Sequence, residues 1–233
     1  MNKLDQGRGF GQEVRKRVQE LALTLVGDGD LAARDLETVE SFKGWSRNYD
    51  QRNDSETYLA PARLANLARQ YLASGAGPIH DLACGTGLLA EHLLAAGFDD
   101  LHGSDLSEEM LLRAAQKGLY RSLTRCSLHE VLPFPQEHFA AVTCCGAFYA
   151  GSVDVRALAH ALPIIRPGGY LICDIEMEAW QDGGYGFVLR KLEEEGYLRL
   201  RHCEAVRMFR AGYIGPEEDP ELPQGMAVVA QLA

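Results

Sequence analysis

The sequence predicts an α/β fold in which a mostly parallel sheet carries helices on both faces. From position 78 onward, short apolar runs alternate with helical segments about every 20 residues, which is typical of βαβ units. A glycine-rich turn at 84–87 follows the first apolar run, and Asp105 lies at the end of the second. The 233 residues suffice for one such domain, which we expect at 45–233 after an N-terminal helical extension at 1–44.

The region before position 78 is predicted to be helical. A first helix is expected over 12–26, where apolar residues recur at helical spacing (Val14, Val18, Leu21, Leu25). A second helical stretch is expected over 31–49 with a break at Gly44, and a third over 57–73 with Pro61 near its start.

The alternating region predicts five parallel strands and the helices that connect them. The strands are expected at 79–83, 100–106, 122–128, 139–145 and 170–176. Helices are expected at 87–96, 107–117, 154–165 and 186–195, with a turn at 166–169 before the fifth strand. Two further runs, 198–209 and 225–232, predict a closing antiparallel pair, which completes a seven-stranded sheet with an antiparallel C-terminal strand.

Composition excludes several classes of protein. A net charge of −10 argues against a broad nucleic-acid-binding face, because such binding depends on Lys and Arg neutralising phosphates. The sequence has neither an apolar run of about 18 residues nor an N-terminal apolar signal segment, so we expect no membrane partner and a cytoplasmic location, with the nucleus as the alternative.

The six cysteines are predicted to be reduced and buried, because none forms a CxxC pair and most lie in apolar runs. Cys144 and Cys145 are adjacent on a predicted strand and therefore point to opposite faces, which favours two small core residues. No Cys or His pair has a matching second pair at ligand spacing, so no metal site is expected.

The first motif that carries chemistry is HDLACGTGL at 80–88, where a strand ends and a helix begins. Gly85 and Gly87 let the backbone turn tightly and approach a ligand closely. Asp81 just before the turn would repel a dinucleotide pyrophosphate, but it suits the ammonium of an amino-acid-like ligand, directly or through water.

The second motif is Asp105 at the end of the second predicted strand. A carboxylate there can accept both hydroxyls of a ribose, whether in NAD, FAD or S-adenosylmethionine. Helix capping is the competing role for Asp105, although Ser107 is equally placed for it. Leu106 and Met110 are expected either to cover an adenine ring or to pack in the core.

Four segments in this order resemble the serial motifs of class I S-adenosylmethionine-dependent methyltransferases. They are DLACGTG at 81–87, GSDLSEEML at 103–111, LPF at 132–134 and RPGGYL at 166–171. The resemblance covers about 45–209 and implies a Rossmann-like class I methyltransferase fold. Within this class, YDQ at 49–51, GLY at 118–120 and DLACGTGLLA are similar to the methyltransferase-like proteins represented in the Williams–Beuren syndrome chromosomal region.

The resemblance implies S-adenosyl-L-methionine as the cofactor and a set of residues that hold it. The turn would line the methionine part, Asp105 would hold the ribose, and residues after the third strand would meet the adenine amino group. Tyr49 would contact the methionine end, as part of an aromatic segment with Trp45 whose other role is packing. The implied set is Tyr49, Asp81, Ala83, Cys84, Gly85, Thr86, Gly87, Asp105, Leu106, Met110, Ser127 and Leu128.

Two positions depart from the pattern of the class. Many relatives have an acidic residue after the third strand, where this chain has Cys126, Ser127 and Leu128, so adenine would be held by backbone groups or by Ser127. The common Phe-Asp start of the fourth strand is Phe139-Ala140 here.

The expected function is methyl transfer to a small-molecule or protein acceptor by direct displacement at the sulfonium methyl. No motif identifies a catalytic residue, although Tyr149 and His129 are expected near the mouth of the site. Glu176 and Glu178 are predicted on one face of the fifth strand, where they would line a pocket for a cationic substrate or lie at a solvated strand end. The alternatives are a non-catalytic S-adenosylmethionine-binding regulatory protein and a nicotinamide-dependent oxidoreductase, the latter disfavoured by Asp81.

Overall fold

The computed structural model describes residues 9–26, 31–42, 49–53, 57–210 and 222–233. Within them, a seven-stranded sheet has the order β3-β2-β1-β4-β5-β7-β6. The strands are β1 (Ile79–Leu82), β2 (Leu101–Asp105), β3 (Ser122–Arg125), β4 (Phe139–Phe148), β5 (Ile165–Glu176), β6 (Leu198–Val206) and β7 (Gly225–Leu232). β1 to β5 pair in parallel and β7 runs antiparallel to both β5 and β6, which confirms the predicted sheet.

Helices cover both faces of this sheet. Their bounds are α1 (Phe10–Leu23), α2 (Leu31–Phe42), α3 (Tyr49–Arg52), α4 (Ala60–Tyr71), α5 (Leu88–Ala95), α6 (Glu108–Lys117), α7 (Leu158–Ala161), α8 (Met177–Gln181) and α9 (Tyr185–Glu194). α1, α7 and α9 pack into a core cluster on one face, whereas α4 and α5 pack on the other. Adjacent residues of β4 show the alternation, because Val142 joins the first cluster and Ala141 the second.

The strand order reverses beside β1, which pairs with β2 on one side and with β4 on the other. Connections from neighbouring strands leave in opposite directions at such a point, so a crevice opens at the carboxyl ends of the strands. The two predicted motifs both lie at this edge, since the glycine-rich turn follows β1 and Asp105 ends β2.

Local sequence signals fix the ends of α6, which borders this crevice. The Ser107 hydroxyl accepts a hydrogen bond from the Met110 N–H at 3.3 Å and caps the first turn. Gly118 ends the helix with φ of 65°, a conformation that glycine adopts without steric cost. Ser107, rather than Asp105, therefore caps this helix through its side chain.

Several predicted elements have different bounds. The continuous helix at 154–165 is wrong: two 3₁₀ turns flank the four residues of α7, because Asp154 caps the first turn and Pro163 opens the second. β5 starts at Ile165, so the expected turn at 166–169 lies within the strand. β3 ends earlier than predicted, at Arg125.

Two further corrections concern the ends of elements near the crevice. α4 begins at Ala60 rather than at 57, since Tyr58 forms an antiparallel bridge with Phe209. α8 was not predicted, and it places Glu178 on a helix, so Glu176 and Glu178 do not share a strand face. The extension at 1–44 stays a prediction, although α1 packs into the same core as the sheet.

Candidate functional site

A cavity of about 310 Å³ lies at the carboxyl edge of the sheet, where the strand order reverses. Such a volume is within the range of small-molecule sites in proteins. It is bordered by the ends of β1, β2 and β4 and by α2, α3 and α6 (lining residues Asp35, Val39, Tyr49, Ala83, Gly85, Ser104, Asp105, Leu106, Ser107, Met110, Cys126, Leu128, His129, Cys145, Gly146, Ala147, Tyr149, Ser152 and Val153).

A second cavity of about 30 Å³ adjoins the first. Tyr49, Ala83, Gly85 and Cys145 line both of them, so the two share walls; they are together called the connected cavity, and the smaller one is its inner end. The inner end is bordered by residues of β1, the glycine-rich turn, α4 and α5 (Tyr58, Pro61, Asp81, Cys84, Leu88 and Leu89).

The glycine-rich turn is held against β2 by Asp105. The Gly85 N–H donates to Asp105 Oδ2 at 2.9 Å, and the Ser107 N–H donates to Asp105 Oδ1 at 2.8 Å. Burial raises the pKa of this carboxyl, although the backbone donors oppose the rise. Each carboxylate oxygen accepts more than one hydrogen bond, so Asp105 retains acceptor sites for hydroxyls of a ligand in the larger cavity.

Asp81 lies under the inner end of the space and is almost completely buried. Its Oδ2 accepts from the Tyr120 hydroxyl at 2.7 Å, and its Oδ1 accepts from the Thr143 hydroxyl at 2.8 Å. Burial raises its pKa to about 6, and the two hydroxyl donors limit this rise. No Lys or Arg contacts Asp81 through a hydrogen bond or ion pair recorded for the described residues, so a bound cation would stabilise its charged form.

The opposite end of the larger cavity carries apolar side chains suited to a flat ring. Leu106, Met110 and Leu128 line it, and Met110 and Leu128 are buried. His129 borders the same region, and its Nδ1 lies 2.7 Å from Asp35 Oδ1 of α2. Its backbone N–H donates to Ser127 Oγ at 2.9 Å.

The end of β4 forms the wall that faces the glycine-rich turn. The ladder with β5 shifts between Cys144 and Phe148, which leaves 145–147 as a bulge with Gly146 at φ of 69°. The Gly146 N–H donates to the buried carboxylate of Asp174 at 2.7 Å. A side chain at Gly146 would lie 2.4 Å from the Tyr58 hydroxyl, so both backbone shape and space require glycine here.

The structure brings most of the predicted site residues to this space. Those that line one or both cavities are Tyr49, Asp81, Ala83, Cys84, Gly85, Asp105, Leu106, Met110 and Leu128. Three others do not line either cavity: Thr86 donates its hydroxyl to Asp50, Gly87 packs against Tyr120, and Ser127 accepts from the backbone of His129. Trp45 lies outside the described residues.

Tyr149 and His129, which were expected near the mouth of the site, both line the larger cavity. Cys144 is a core residue as predicted, and Cys145 packs against the second core cluster but also lines both cavities. The cause is the bulge, which turns the backbone out of the ladder directly after Cys144. Sequence reasoning also missed Asp35 and Val39 of α2, because no local motif connects that helix with the crevice.

The donor set of this space fits S-adenosylmethionine better than a metal ion. Among the described residues, no group of His, Cys, Asp and Glu side chains is arranged to hold a metal. The two cavities are instead lined by the Asp105 carboxylate, by apolar side chains and by the buried carboxylate of Asp81.

Comparison with known proteins identifies the class of protein that the four sequence motifs resemble. The methyltransferase domain family matches residues 79–169 of this chain. Methyltransferase-like protein 27 of Homo sapiens is 39% identical over 167 residues, which span 69% of this chain but only 63% of that protein. Demethylmenaquinone methyltransferase of Deinococcus radiodurans is 30% identical over 78% of this chain and 69% of its own length.

Solved structures show the same fold. An S-adenosylmethionine-dependent methyltransferase from Mesorhizobium loti superposes with a TM-score of 0.53 at 22% identity, covering 71% of this chain and 96% of its own. These comparisons confirm the resemblance that the four sequence motifs predicted. No helix among the described residues is both long and apolar enough to cross a bilayer.

Proposed function

The chain belongs to the class I S-adenosylmethionine-dependent methyltransferases, and we propose that it transfers the methyl group of S-adenosyl-L-methionine to a small-molecule or protein acceptor. The observation that carries this proposal is the connected cavity at the strand-order reversal, with Asp105 and Asp81 along it. We further propose that the protein acts in the cytoplasm.

The proposed cofactor pose follows from the cavity groups that can still accept a hydrogen bond, compensate a charge or contact a ring. Asp105 accepts the ribose hydroxyls while its two backbone donors keep the carboxylate and the glycine-rich turn in register. Asp81 compensates the ammonium of the methionine part, while the Tyr120 and Thr143 hydroxyls fix its orientation. Leu106, Met110 and Leu128 enclose the adenine ring.

This pose places the sulfonium methyl at the junction of the two cavities, beside Tyr49 and Cys145. S-adenosylmethionine supplies the leaving group for a direct displacement, so the protein contributes binding, alignment and exclusion of water. The bulge at 145–147 and the ring of Tyr49 form the walls that align an acceptor with the breaking bond. No side chain needs to form a covalent bond in this reaction.

The proposal is tested with the purified chain, S-adenosylmethionine and a broad acceptor panel of amines, phenols, thiols, carboxylic acids and peptides. The readout is release of S-adenosylhomocysteine, with Asp105→Ala as the matched control for non-enzymatic transfer. We expect acceptor-dependent release by the parent and little by the variant. Tight cofactor binding without release above the control for any acceptor would favour the non-catalytic alternative.

A further inference from the structure

We propose that the methyl acceptor of this chain is an amine nitrogen, recognised by a tyrosine-walled pocket that Asp174 makes negative. This inference rests on the proposed function, because it concerns the acceptor side of the same cavity. The tyrosine-walled pocket is defined by Tyr49, Tyr58, Tyr149 and the bulge at 145–147.

Two tyrosine hydroxyls converge on one point of the bulge, and a third tyrosine lines the space beside it. A Cβ placed on Gly146 would lie 2.4 Å from the Tyr58 hydroxyl and 3.8 Å from the Tyr149 hydroxyl. The Tyr58 hydroxyl also lies 3.4 Å from Cys145 Sγ, and Tyr49 lines both cavities beside it. Burial raises the pKa of all three phenols, so they remain neutral and offer oxygen acceptors and ring faces.

A buried carboxylate stands directly behind this wall. Asp174 is only 2% exposed; its Oδ1 accepts from the Gly146 N–H, and its Oδ2 has the Cys145 thiol at 3.9 Å. Burial raises its pKa to about 6, and the donors around it only limit the rise. Asp174 is thus a buried carboxylate that lies directly behind the bulge, held by neutral donors and influenced by Arg63.

The positive side chains of the described residues lie outside the pocket. No Lys or Arg is among the residues that line the two cavities in the described part of the chain. Arg63 acts on Asp174 only at a distance, lines neither cavity, and donates to the Arg207 carbonyl at 2.6 Å. Glu176 adds a further carboxylate near Tyr149 and accepts from the Ala150 N–H.

This environment selects acceptors by charge. Carboxylate and phosphate acceptors would meet negative charge and, among the described lining residues, no Lys or Arg, which costs free energy in a buried site. An amine that arrives protonated is attracted by Asp174, and its N–H groups find the tyrosine oxygens and ring faces. Asp174 therefore acts as a positioning residue that sets acceptor specificity from behind the wall.

The reaction balances without any further reagent. A neutral amine forms the N–C bond with its lone pair, the C–S bond breaks, and that electron pair stays on sulfur as S-adenosylhomocysteine. The methylated nitrogen then releases one proton to water. A protonated acceptor first loses one proton to bulk water, before the lone pair of its nitrogen attacks.

The test uses aza analogues of S-adenosylhomocysteine, in which a tertiary amine replaces sulfur and carries an arm into the acceptor site. An aminopropyl, a butyl and a carboxyethyl arm differ in charge at similar length. Calorimetry should show the aminopropyl analogue binding about tenfold tighter than the butyl one, and the carboxyethyl analogue about tenfold weaker, each step being about 1.4 kcal/mol.

Asp174→Asn keeps an acceptor for the Gly146 N–H and should reduce the aminopropyl preference to threefold or less. The matched control is Asp182→Asn, because Asp182 is exposed and lines neither cavity. This variant should retain the full preference for the aminopropyl analogue. Equal binding of the carboxyethyl and aminopropyl analogues by the parent, or an unchanged preference in Asp174→Asn, overturns the inference. If the parent itself does not bind S-adenosylhomocysteine, the proposed function is overturned, and the inference with it.

Discussion

Asp105→Ala is the perturbation that addresses the cofactor pose most specifically. The substitution removes the carboxylate that faces the larger cavity and accepts from the Gly85 and Ser107 N–H groups. Hydrogen bonds from a ribose to a charged acceptor are worth about 1–3 kcal/mol. The dissociation constant of S-adenosylhomocysteine should therefore rise about 5- to 150-fold.

Two effects contribute to that loss, because the variant also frees the glycine-rich turn. A 2′,3′-dideoxy analogue of S-adenosylhomocysteine separates them in a double-mutant cycle measured by calorimetry. The parent should bind this analogue more weakly than S-adenosylhomocysteine, whereas Asp105→Ala should bind both alike. Asp105→Asn keeps the shape of the side chain and one acceptor, so its dissociation constant for S-adenosylhomocysteine should lie between those of the parent and Asp105→Ala.

The refuting results are equally specific. Binding of S-adenosylhomocysteine by Asp105→Ala within twofold of the parent would show that the ribose does not contact this carboxylate. An equal penalty for the dideoxy analogue in parent and variant would assign the loss to the turn rather than to the ribose.

Three further predictions concern the walls of the site. Gly146→Ala should lower the free energy of unfolding, measured by urea denaturation, by about 1–3 kcal/mol more than Gly151→Ala does. Both glycines have positive φ, but only a side chain at position 146 would meet a tyrosine hydroxyl. Equal losses in the two variants would contradict the packing argument. The pKa of about 6 at Asp174 lies above its unfolded value of 3.8, so unfolding free energy should fall as pH rises from about 4 to about 6, by about 3 kcal/mol for this group. Asp174→Asn should remove that part of the pH profile, and a profile identical to the parent's would show the carboxyl to be unperturbed. Tyr120→Phe removes a hydrogen-bond donor to Asp81 and should lower the free energy of unfolding by about 1–3 kcal/mol at pH 8. The loss should be smaller at pH 4.5, where Asp81 is protonated. A loss of stability in thermal unfolding that does not depend on pH would contradict this role.

Sequence periodicity and motif order predicted the sheet because its strands are short, apolar and separated by helices of ordinary length. Asp81 and Asp105 were predictable for the same reason, since both lie near the carboxyl ends of parallel strands and therefore meet at one edge. The interruption of the helix expected over 154–165 was not predictable, because Asp154 and Pro163 impose 3₁₀ turns that apolar periodicity does not reveal.

The acceptor side of the cavity depends on tertiary structure alone. Cys145 faces it because β4 leaves its ladder at Gly146, and the sequence contains no local signal for that bulge. Tyr58 reaches the same point from the segment that pairs with Phe209, which is distant in sequence. Asp174 was overlooked because an acidic residue near a strand end is equally compatible with a solvated position.

The central claim is that the connected cavity binds S-adenosylmethionine, and titration calorimetry with the parent chain tests it most directly. S-adenosylmethionine and S-adenosylhomocysteine should bind with dissociation constants on the order of micromolar, and NAD should not bind under the same conditions. Binding of NAD without either adenosyl sulfur compound would contradict the account, and binding of none of the three would show that the cavity is not a cofactor site in the isolated chain.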